Sequence, residues 1–192
     1  MFIRNWKKEI LTIPNLLSLL RLALLPVYAG IYWNAANPQD HLLAGGIMLL
    51  SCLTDLLDGF IARRFRQVTN LGKVLDPLAD KITQLTLTVC LSLKYPVLQP
   101  VLALFLVKEI FQLVVAIGFL RKGRVLAGAL MAGKISTCVL FGSLIYLVLF
   151  PDVPPSLVKA AAIANAVVLT ISFLSYILAY FGPAPGLQNV EG

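Results

Sequence analysis

The chain has 192 residues, of which 59% are hydrophobic and 13% are charged, and its formal net charge is +7. Soluble domains carry roughly 25% charged residues, so this composition excludes a soluble enzyme, a disordered chain and a small disulfide scaffold. Six membrane-spanning helices of about 20 residues would use roughly 120 residues and leave no sizeable extramembrane domain. We therefore expect a single all-α integral membrane domain over residues 1–192.

The first predicted element is a short amphipathic segment at residues 2–11, where Arg4, Lys7 and Lys8 alternate with apolar residues at helical spacing. This pattern predicts a helix that lies on the inner membrane surface. Six apolar runs follow, and each predicts a membrane-spanning helix because backbone groups inside lipid must be hydrogen-bonded internally. The runs lie near 14–33, 42–62, 76–94, 100–120, 130–150 and 157–181, and a flexible tail is expected at 182–192.

The basic residues alternate along the connections between these runs. The N-terminus and the second and fourth connections hold most of the lysines and arginines, whereas the first, third and fifth connections hold almost none. By the positive-inside rule, the even connections and both termini face the cytoplasm. Because membrane topology accounts for the excess positive charge, nucleic acid is not expected as a partner.

Four of the nine acidic residues lie in one short stretch, at Asp55, Asp58, Asp76 and Asp80. Each pair shares a helix face, because residues three or four positions apart are neighbours on a helix. The two pairs stand at the cytoplasmic ends of adjacent predicted spans, so they are expected to meet at one depth. Carboxylate oxygens suit hard divalent cations such as Mg²⁺ or Mn²⁺, and a pair of such ions assists phosphoryl chemistry.

Other classes of protein also place carboxylates near a membrane. A metal or proton transporter holds its site near the bilayer midplane, often between internal repeats, and this sequence has no second copy of the cluster. Interfacial salt bridges with Arg63, Arg64, Lys73 and Lys81 would not need four acids. A scaffold subunit would not need the aspartates at all. The pattern therefore favours a metal-dependent enzyme over these alternatives.

The aspartates belong to a longer pattern that runs from Asp55 to Asp80, D-x2-D-G-x2-A-R-x8-G-x3-D-x3-D. At every fixed position it resembles the signature of the CDP-alcohol phosphatidyltransferases. The resemblance implies two divalent metal ions bound by Asp55, Asp58 and Asp76. It also implies that Asp80 takes the proton from the acceptor hydroxyl and contributes to metal binding.

The same resemblance implies a binding pocket for the CDP part of CDP-diacylglycerol. In this family an acceptor oxygen attacks the lipid-bearing phosphorus and CMP leaves. The segment Ile13–Arg21 also resembles the start of the phosphatidylglycerophosphate synthases and of the related cardiolipin synthases within the family. The residues so implied in CDP binding are Asn15, Asp58, Gly59, Ala62, Arg63 and Gly72.

Basic residues indicate which acceptor is used. Lys108 and Glu109 lie inside the fourth predicted span, where an exposed ion pair would be expensive. Lys134 and Arg121 add positive charge nearby, and Arg21 either meets the carboxylate cluster or joins them in binding phosphate. Such a pocket suits an anionic acceptor, glycerol 3-phosphate, better than an inositol or serine acceptor.

One departure from the phosphatidylglycerophosphate synthases keeps an alternative open. Those enzymes usually have Arg-Glu where this chain has Lys108-Glu109, and Ala116 stands where they have a further arginine. A CDP-dependent cardiolipin synthase, whose acceptor is phosphatidylglycerol, is therefore the alternative. The resemblance also implies a homodimer in a bacterial inner membrane, with a polar cavity open to the cytoplasm.

Overall fold

The computed structural model describes residues 12–64, 69, 71–126, 130–182 and 187–189. For residues 55, 56, 58–63, 73, 74, 125, 126 and 187–189 the description covers the backbone and not the side chain. The surface helix predicted at residues 2–11 lies outside the described residues.

Six long helices follow one another along the described chain. Each corresponds to one predicted apolar run, and the helix ends lie at most four residues from the predicted ends. A 3-10 turn, Pro96–Leu98, immediately precedes the fourth helix. The helices are α1 (Ile13–Trp33), α2 (Pro38–Arg64), α3 (Gly72–Lys94), α4 (Gln99–Leu120), α5 (Met131–Leu149) and α6 (Pro155–Phe181).

Four of these helices, namely α1, α4 with its preceding turn, α5 and α6, are long and apolar enough to cross a membrane. Helices α2 and α3 contain 27 and 23 residues, which is sufficient length, but they are less apolar. The clustered aspartates and their basic neighbours account for that difference. Four of the six predicted spans are therefore candidate membrane-spanning helices by length and composition, and for α2 and α3 the span stays a prediction.

Helix α1 is arranged as expected for contact with lipid. Leu16 and Leu20 are 45% and 46% exposed, whereas Asn15, Ser18 and Arg21 are at most 2% exposed. A helix on the surface of a soluble protein shows the reverse arrangement, with polar side chains outside and an apolar stripe inside. Large exposed apolar side chains also occur on the other long helices. The chain is an integral membrane protein.

The described helices fall into two compact units. The first unit holds α1, α2, α3 as far as Leu91, and residues 145–152. Within it, α1 packs along α2, and the rings of Tyr28 and Tyr32 stack with their centroids 5.6 Å apart. A Cβ atom on Gly45 would lie 2.7 Å from Cδ2 of Leu149, so the small residue permits close packing.

The second unit holds α4, α5 as far as Leu144, and α6. Helix α4 packs against α6, where the rings of Phe111 and Phe173 meet edge to face at 5.1 Å between centroids. Asn165 Nδ2 of α6 donates a hydrogen bond of 2.6 Å to Ser143 Oγ of α5. Hydrogen bonds of this kind between helices stabilise helix packing in membranes.

Two three-residue strands also belong to the second unit. Strands β1 (Arg124–Leu126) and β2 (Leu187–Asn189) pair in antiparallel orientation, with Val125 opposite Gln188. The sequence predicted an all-α chain with a flexible tail over 182–192, and residues 187–189 differ from that prediction. The pairing of two three-residue strands depends on backbone hydrogen bonds more than on side chains. The distribution of apolar residues along the sequence therefore does not predict it.

Candidate active site

A row of buried polar side chains on α1 faces the start of α3. Asn15, Ser18 and Arg21 are three residues apart, which places them on one helix face, and all three are buried. Because their partners follow in the same order along the chain, α1 and α3 run in the same direction at this contact. The partners, in that order, are Thr69, Asp76 and Asp80.

Each of the three contacts is a direct polar interaction. Asn15 Nδ2 donates to Thr69 Oγ1 at 3.0 Å, and Thr69 Oγ1 accepts a 2.9 Å bond from the backbone N–H of Gly72. Ser18 Oγ donates to Asp76 Oδ1 at 2.7 Å. The contacts begin in the connection before α3 and continue as far as Asp80, the ninth residue of that helix. They therefore hold this end of α3 against α1.

The third contact is an ion pair between Arg21 Nη1 and Asp80 Oδ1. The arginine side chain is 2% exposed, whereas the aspartate side chain is 47% exposed. A buried guanidinium is costly unless an opposite charge and hydrogen bonds compensate for its lost hydration. Asp80 supplies that charge and still remains accessible from one side.

Gly72 has no room for a side chain. A Cβ atom at this position would lie 2.7 Å from Asn15 Oδ1 and 3.0 Å from Thr69 Oγ1. Real Cβ contacts are longer, so a larger residue would displace the Asn15–Thr69 hydrogen bond. The absent side chain thus allows α1 to approach the start of α3.

Replacing Gly72 with Ala is expected to lower the free energy of unfolding by about 1–3 kcal/mol, the usual cost of overpacking a well-packed site. Thermal unfolding of the detergent-solubilised protein measures this change. Gly30→Ala in α1 is the matched control, because a Cβ there has no atom within 4 Å. Equal unfolding temperatures for the two variants would contradict the steric role of Gly72.

The structure brings two of the four predicted metal ligands to one place. Asp76 and Asp80 stand one turn apart on α3, and both contact α1, so the predicted shared face is present. Asp55 and Asp58 lie in α2, and their side chains are outside the described set. Among the side chains that are described, no group of three His, Cys, Asp or Glu residues comes together. The complete set of four ligands therefore stays a prediction.

The residues predicted to bind CDP fall on two elements. Gly59, Ala62 and Arg63 belong to the C-terminal part of α2, where the description covers the backbone alone. Asn15 and Gly72 face each other across the α1–α3 contact. Their packing against each other gives both residues a structural role in addition to the predicted CDP contact.

The predicted acceptor-binding cations have different surroundings. Lys108 is buried in α4, with Nζ 2.7 Å from Glu109 Oε1 and 5.8 Å from the centroid of the Tyr176 ring. Arg121 and Lys134 are exposed. Arg21 contacts Asp80, which is the first of the two roles that the sequence left open for it. Its predicted contact with the acceptor phosphate stays a prediction.

Sequence reasoning overlooked three residues that contact predicted site residues, namely Thr69, Ser18 and Tyr176. Ser18 lies midway between Asn15 and Arg21 on the same face of α1, and this three-residue spacing is the signal that could have found it. Tyr176 contacts Lys108 through its ring, and a Cβ on Gly133 would lie 2.6 Å from its hydroxyl oxygen. No spacing in the sequence links Tyr176 to either residue.

Comparison with known proteins explains this arrangement of carboxylates. The family model for CDP-alcohol phosphatidyltransferase matches residues 11–172, which include the contacts between α1 and α3. The chain belongs to the CDP-alcohol phosphatidyltransferase family. Members of this family generally use a divalent metal, in keeping with the carboxylates of the signature.

Relatives of this chain carry several different names. It is 37% identical over 116 residues to "Cardiolipin synthase (CMP-forming)" of Streptomyces coelicolor, covering 59% of this chain and 54% of that protein. The human protein of the same name is 43% identical over 112 residues, which are 57% of this chain and 35% of the relative. The chain thus spans about half, or less, of the length of these two relatives.

A further relative matches over more of the chain. The "Probable phosphatidylglycerophosphate synthase" of Mycobacterium tuberculosis is 29% identical over 167 residues, which cover 86% of this chain and 79% of that protein. This match extends over most of both chains, whereas the matches with higher identity are confined to a shorter region.

Proposed function

We propose that this member of the family transfers the phosphatidyl group of CDP-diacylglycerol to glycerol 3-phosphate, which forms phosphatidylglycerophosphate and releases CMP. The observation that carries the proposal is the complete signature from Asp55 to Asp80, with Asp76 and Asp80 both held on the side of α3 that contacts α1. The long match to the mycobacterial protein supports the choice of product.

The donor set fits a divalent metal. One or two ions, Mg²⁺ or Mn²⁺, would be held by Asp55, Asp58, Asp76 and Asp80, because carboxylate oxygens are the ligands that these hard cations prefer. The fit is supported by Asp76 and Asp80, which offer oxygen ligands on successive turns of one helix. When bound, the metal neutralises diphosphate charge on the nucleotide.

The remaining chemistry is assigned to residues of the chain. Asp80 removes the proton from the acceptor hydroxyl, for which a general base must lie within hydrogen-bond reach of that hydroxyl. Its 47% exposure leaves it accessible to a substrate. The acceptor oxygen then bonds to the lipid-bearing phosphorus, and the bond from that phosphorus to CMP breaks, so that CMP leaves with the electron pair. The CDP pocket is assigned to Asn15, Asp58, Gly59, Ala62, Arg63 and Gly72.

The phosphate of the acceptor is assigned to Lys108, Lys134, Arg121 and Arg21. An ammonium or guanidinium group forms charge-assisted hydrogen bonds with phosphate oxygens, and these bonds are stronger than those between neutral groups. Lys108 supports this assignment best, because a buried cation in an apolar helix is seldom kept without a function.

A second candidate function is a CDP-dependent cardiolipin synthase, with phosphatidylglycerol as the acceptor. The observation that favours it is the 43% identity to the human cardiolipin synthase over 112 residues. Both acceptors bear a phosphate, so the same cations would serve either reaction. Inositol or serine acceptors are less favoured because they need less positive charge.

The proposal includes a location and an assembly. Both termini and the active site are assigned to the cytoplasmic side because the basic connections follow the positive-inside rule, and a bacterial inner membrane is proposed from the family resemblance. Membrane lipids surround the exposed apolar faces, and a homodimer is proposed from the family resemblance.

An assay of CMP release tests the proposal and distinguishes the acceptors. The purified protein is incubated with CDP-diacylglycerol, with Mg²⁺ or Mn²⁺, and with glycerol 3-phosphate, phosphatidylglycerol, serine or an inositol phosphate. We expect release with glycerol 3-phosphate, and none after chelation with EDTA. If CMP is released with phosphatidylglycerol alone, the second function replaces the first. If CMP is released with none of the acceptors, both functions are contradicted.

A further inference from the structure

Ser18 is the member of the α1 polar row that sequence reasoning did not assign to any function. Its side chain is fully buried, with 0% exposure, and it lies between the two neighbours that contact Thr69 and Asp80. A buried hydroxyl normally requires a hydrogen-bond partner. Ser18 finds this partner on α3, in a carboxylate of the signature.

The geometry shows which acceptor the hydroxyl prefers. Ser18 Oγ lies 2.7 Å from Asp76 Oδ1 and 3.2 Å from the backbone oxygen of Pro14 one turn earlier. A hydroxyl has one proton, and both of these oxygens are acceptors. The shorter distance and the negative charge favour the carboxylate, since hydrogen bonds to ionised groups are shorter and stronger.

We propose that Ser18 is a positioning residue that fixes the orientation of the Asp76 carboxylate for binding a divalent cation. This inference rests on the proposed function. A carboxylate on a flexible side chain can rotate, and rotation moves both of its oxygens. A hydrogen bond from a buried hydroxyl to Oδ1 also sets the direction of Oδ2. The Asp76 side chain therefore loses less conformational freedom when the metal binds.

Hydrogen bonds to metal ligands have measurable consequences in other proteins. Loss of such a supporting partner typically costs 10- to 100-fold in metal affinity or activity. Ser18 is well placed for this effect because its own position is fixed by burial in α1. The neighbouring contacts of Asn15 and Arg21 hold the two helices in register, so the distance between Ser18 and Asp76 is fixed as well.

The experiment measures cation binding directly. The purified protein is freed of metal and titrated with Mn²⁺ alone, and free Mn²⁺ is followed by electron paramagnetic resonance. We expect Ser18→Ala to raise the Kd for Mn²⁺ by about 10- to 100-fold. Ser18→Thr keeps the hydroxyl and is expected to stay within about threefold of wild type. If the added methyl prevents folding, Ser18→Cys replaces it, with an intermediate Kd expected from its weak donor.

Ser143→Ala is the matched control. Ser143 also joins two helices through its hydroxyl, which accepts from Asn165 at 2.6 Å, but it belongs to the other compact unit. Both alanine variants are expected to lower the unfolding temperature in detergent. Only Ser18→Ala is expected to weaken Mn²⁺ binding.

The outcomes separate this inference from the proposed function. If Ser18→Ala binds Mn²⁺ as tightly as wild type while CMP release remains metal-dependent, Ser18 is only a helix-packing residue and the inference is overturned. If the wild-type protein neither binds Mn²⁺ nor releases CMP, the proposed function fails together with the inference. A higher Kd in Ser18→Ala, with recovery in Ser18→Thr or Ser18→Cys, supports the positioning role.

Discussion

Asp80→Asn is expected to lower the rate of CMP release by about 10²- to 10⁴-fold, the usual contribution of a general base. The amide cannot take the proton of the acceptor hydroxyl. Binding of CDP-diacylglycerol is expected to change little, because Asp58 and the CDP pocket remain. Turnover is measured with saturating substrates, and binding is measured separately by equilibrium titration with the nucleotide lipid.

The ion pair with Arg21 adds a second effect that must be separated from the first. Asn keeps an oxygen that can accept a hydrogen bond but removes the charge that compensates the buried guanidinium. Unfolding temperature should therefore fall as well, by less than for a fully buried pair, because Asp80 is 47% exposed.

A double-mutant cycle with Arg21→Met separates stability from chemistry. The double variant carries no uncompensated guanidinium, so it should be more stable than Asp80→Asn alone and equally inactive. Recovery of turnover in the double variant would show that Asp80 serves only to neutralise Arg21. Loss of CDP-diacylglycerol binding as severe as in Asp58→Asn would also contradict its role as the base.

Lys108→Met is expected to raise the KM for glycerol 3-phosphate by about 10- to 100-fold and to leave the KM for CDP-diacylglycerol within about threefold of wild type. A hydrogen bond to a charged group contributes about 1.5–3 kcal/mol, which corresponds to this range. Met fills a similar volume without the charge. Steady-state kinetics with each substrate varied in turn provide the measurement.

Two controls test whether Lys108 acts through its charge at the acceptor or only through its pairing with Glu109. Lys122→Met removes an exposed cation that follows the same helix, and it should change neither KM. Glu109→Gln removes the partner and keeps the ammonium, so the KM for glycerol 3-phosphate should stay low. If Lys108→Met and Glu109→Gln reduce stability equally and leave both KM values unchanged, the pair is structural.

The sequence was sufficient to predict the helices and one face of the site. Apolar runs separated by charged or proline-rich segments give helices whose ends depend mainly on local sequence, and the observed ends lie close to the predicted ones. The spacing of Asp76 and Asp80 was likewise enough to put both carboxylates on one side of α3, since that follows from helix periodicity.

The partners across helices could not be predicted in the same way. Ser18 and Asp76 are 58 residues apart in the chain, and their contact depends on how two helices are rotated and shifted along each other. Spacing within one helix contains no information on either quantity. For this reason the sequence left Arg21 with two possible roles, and its contact with Asp80 is visible only in the structure.

The ion pair between α1 and α3 also has a consequence for how the protein is made. Arg21 enters the membrane with the first apolar helix, but Asp80 lies 59 residues later in the chain. At the usual synthesis rate of about 5–20 residues per second, the arginine precedes its partner by roughly 3–12 seconds. An arginine in a membrane helix costs a few kcal/mol on insertion scales. Stable insertion of the first helix during translation is therefore expected to be completed only after the third has emerged from the ribosome.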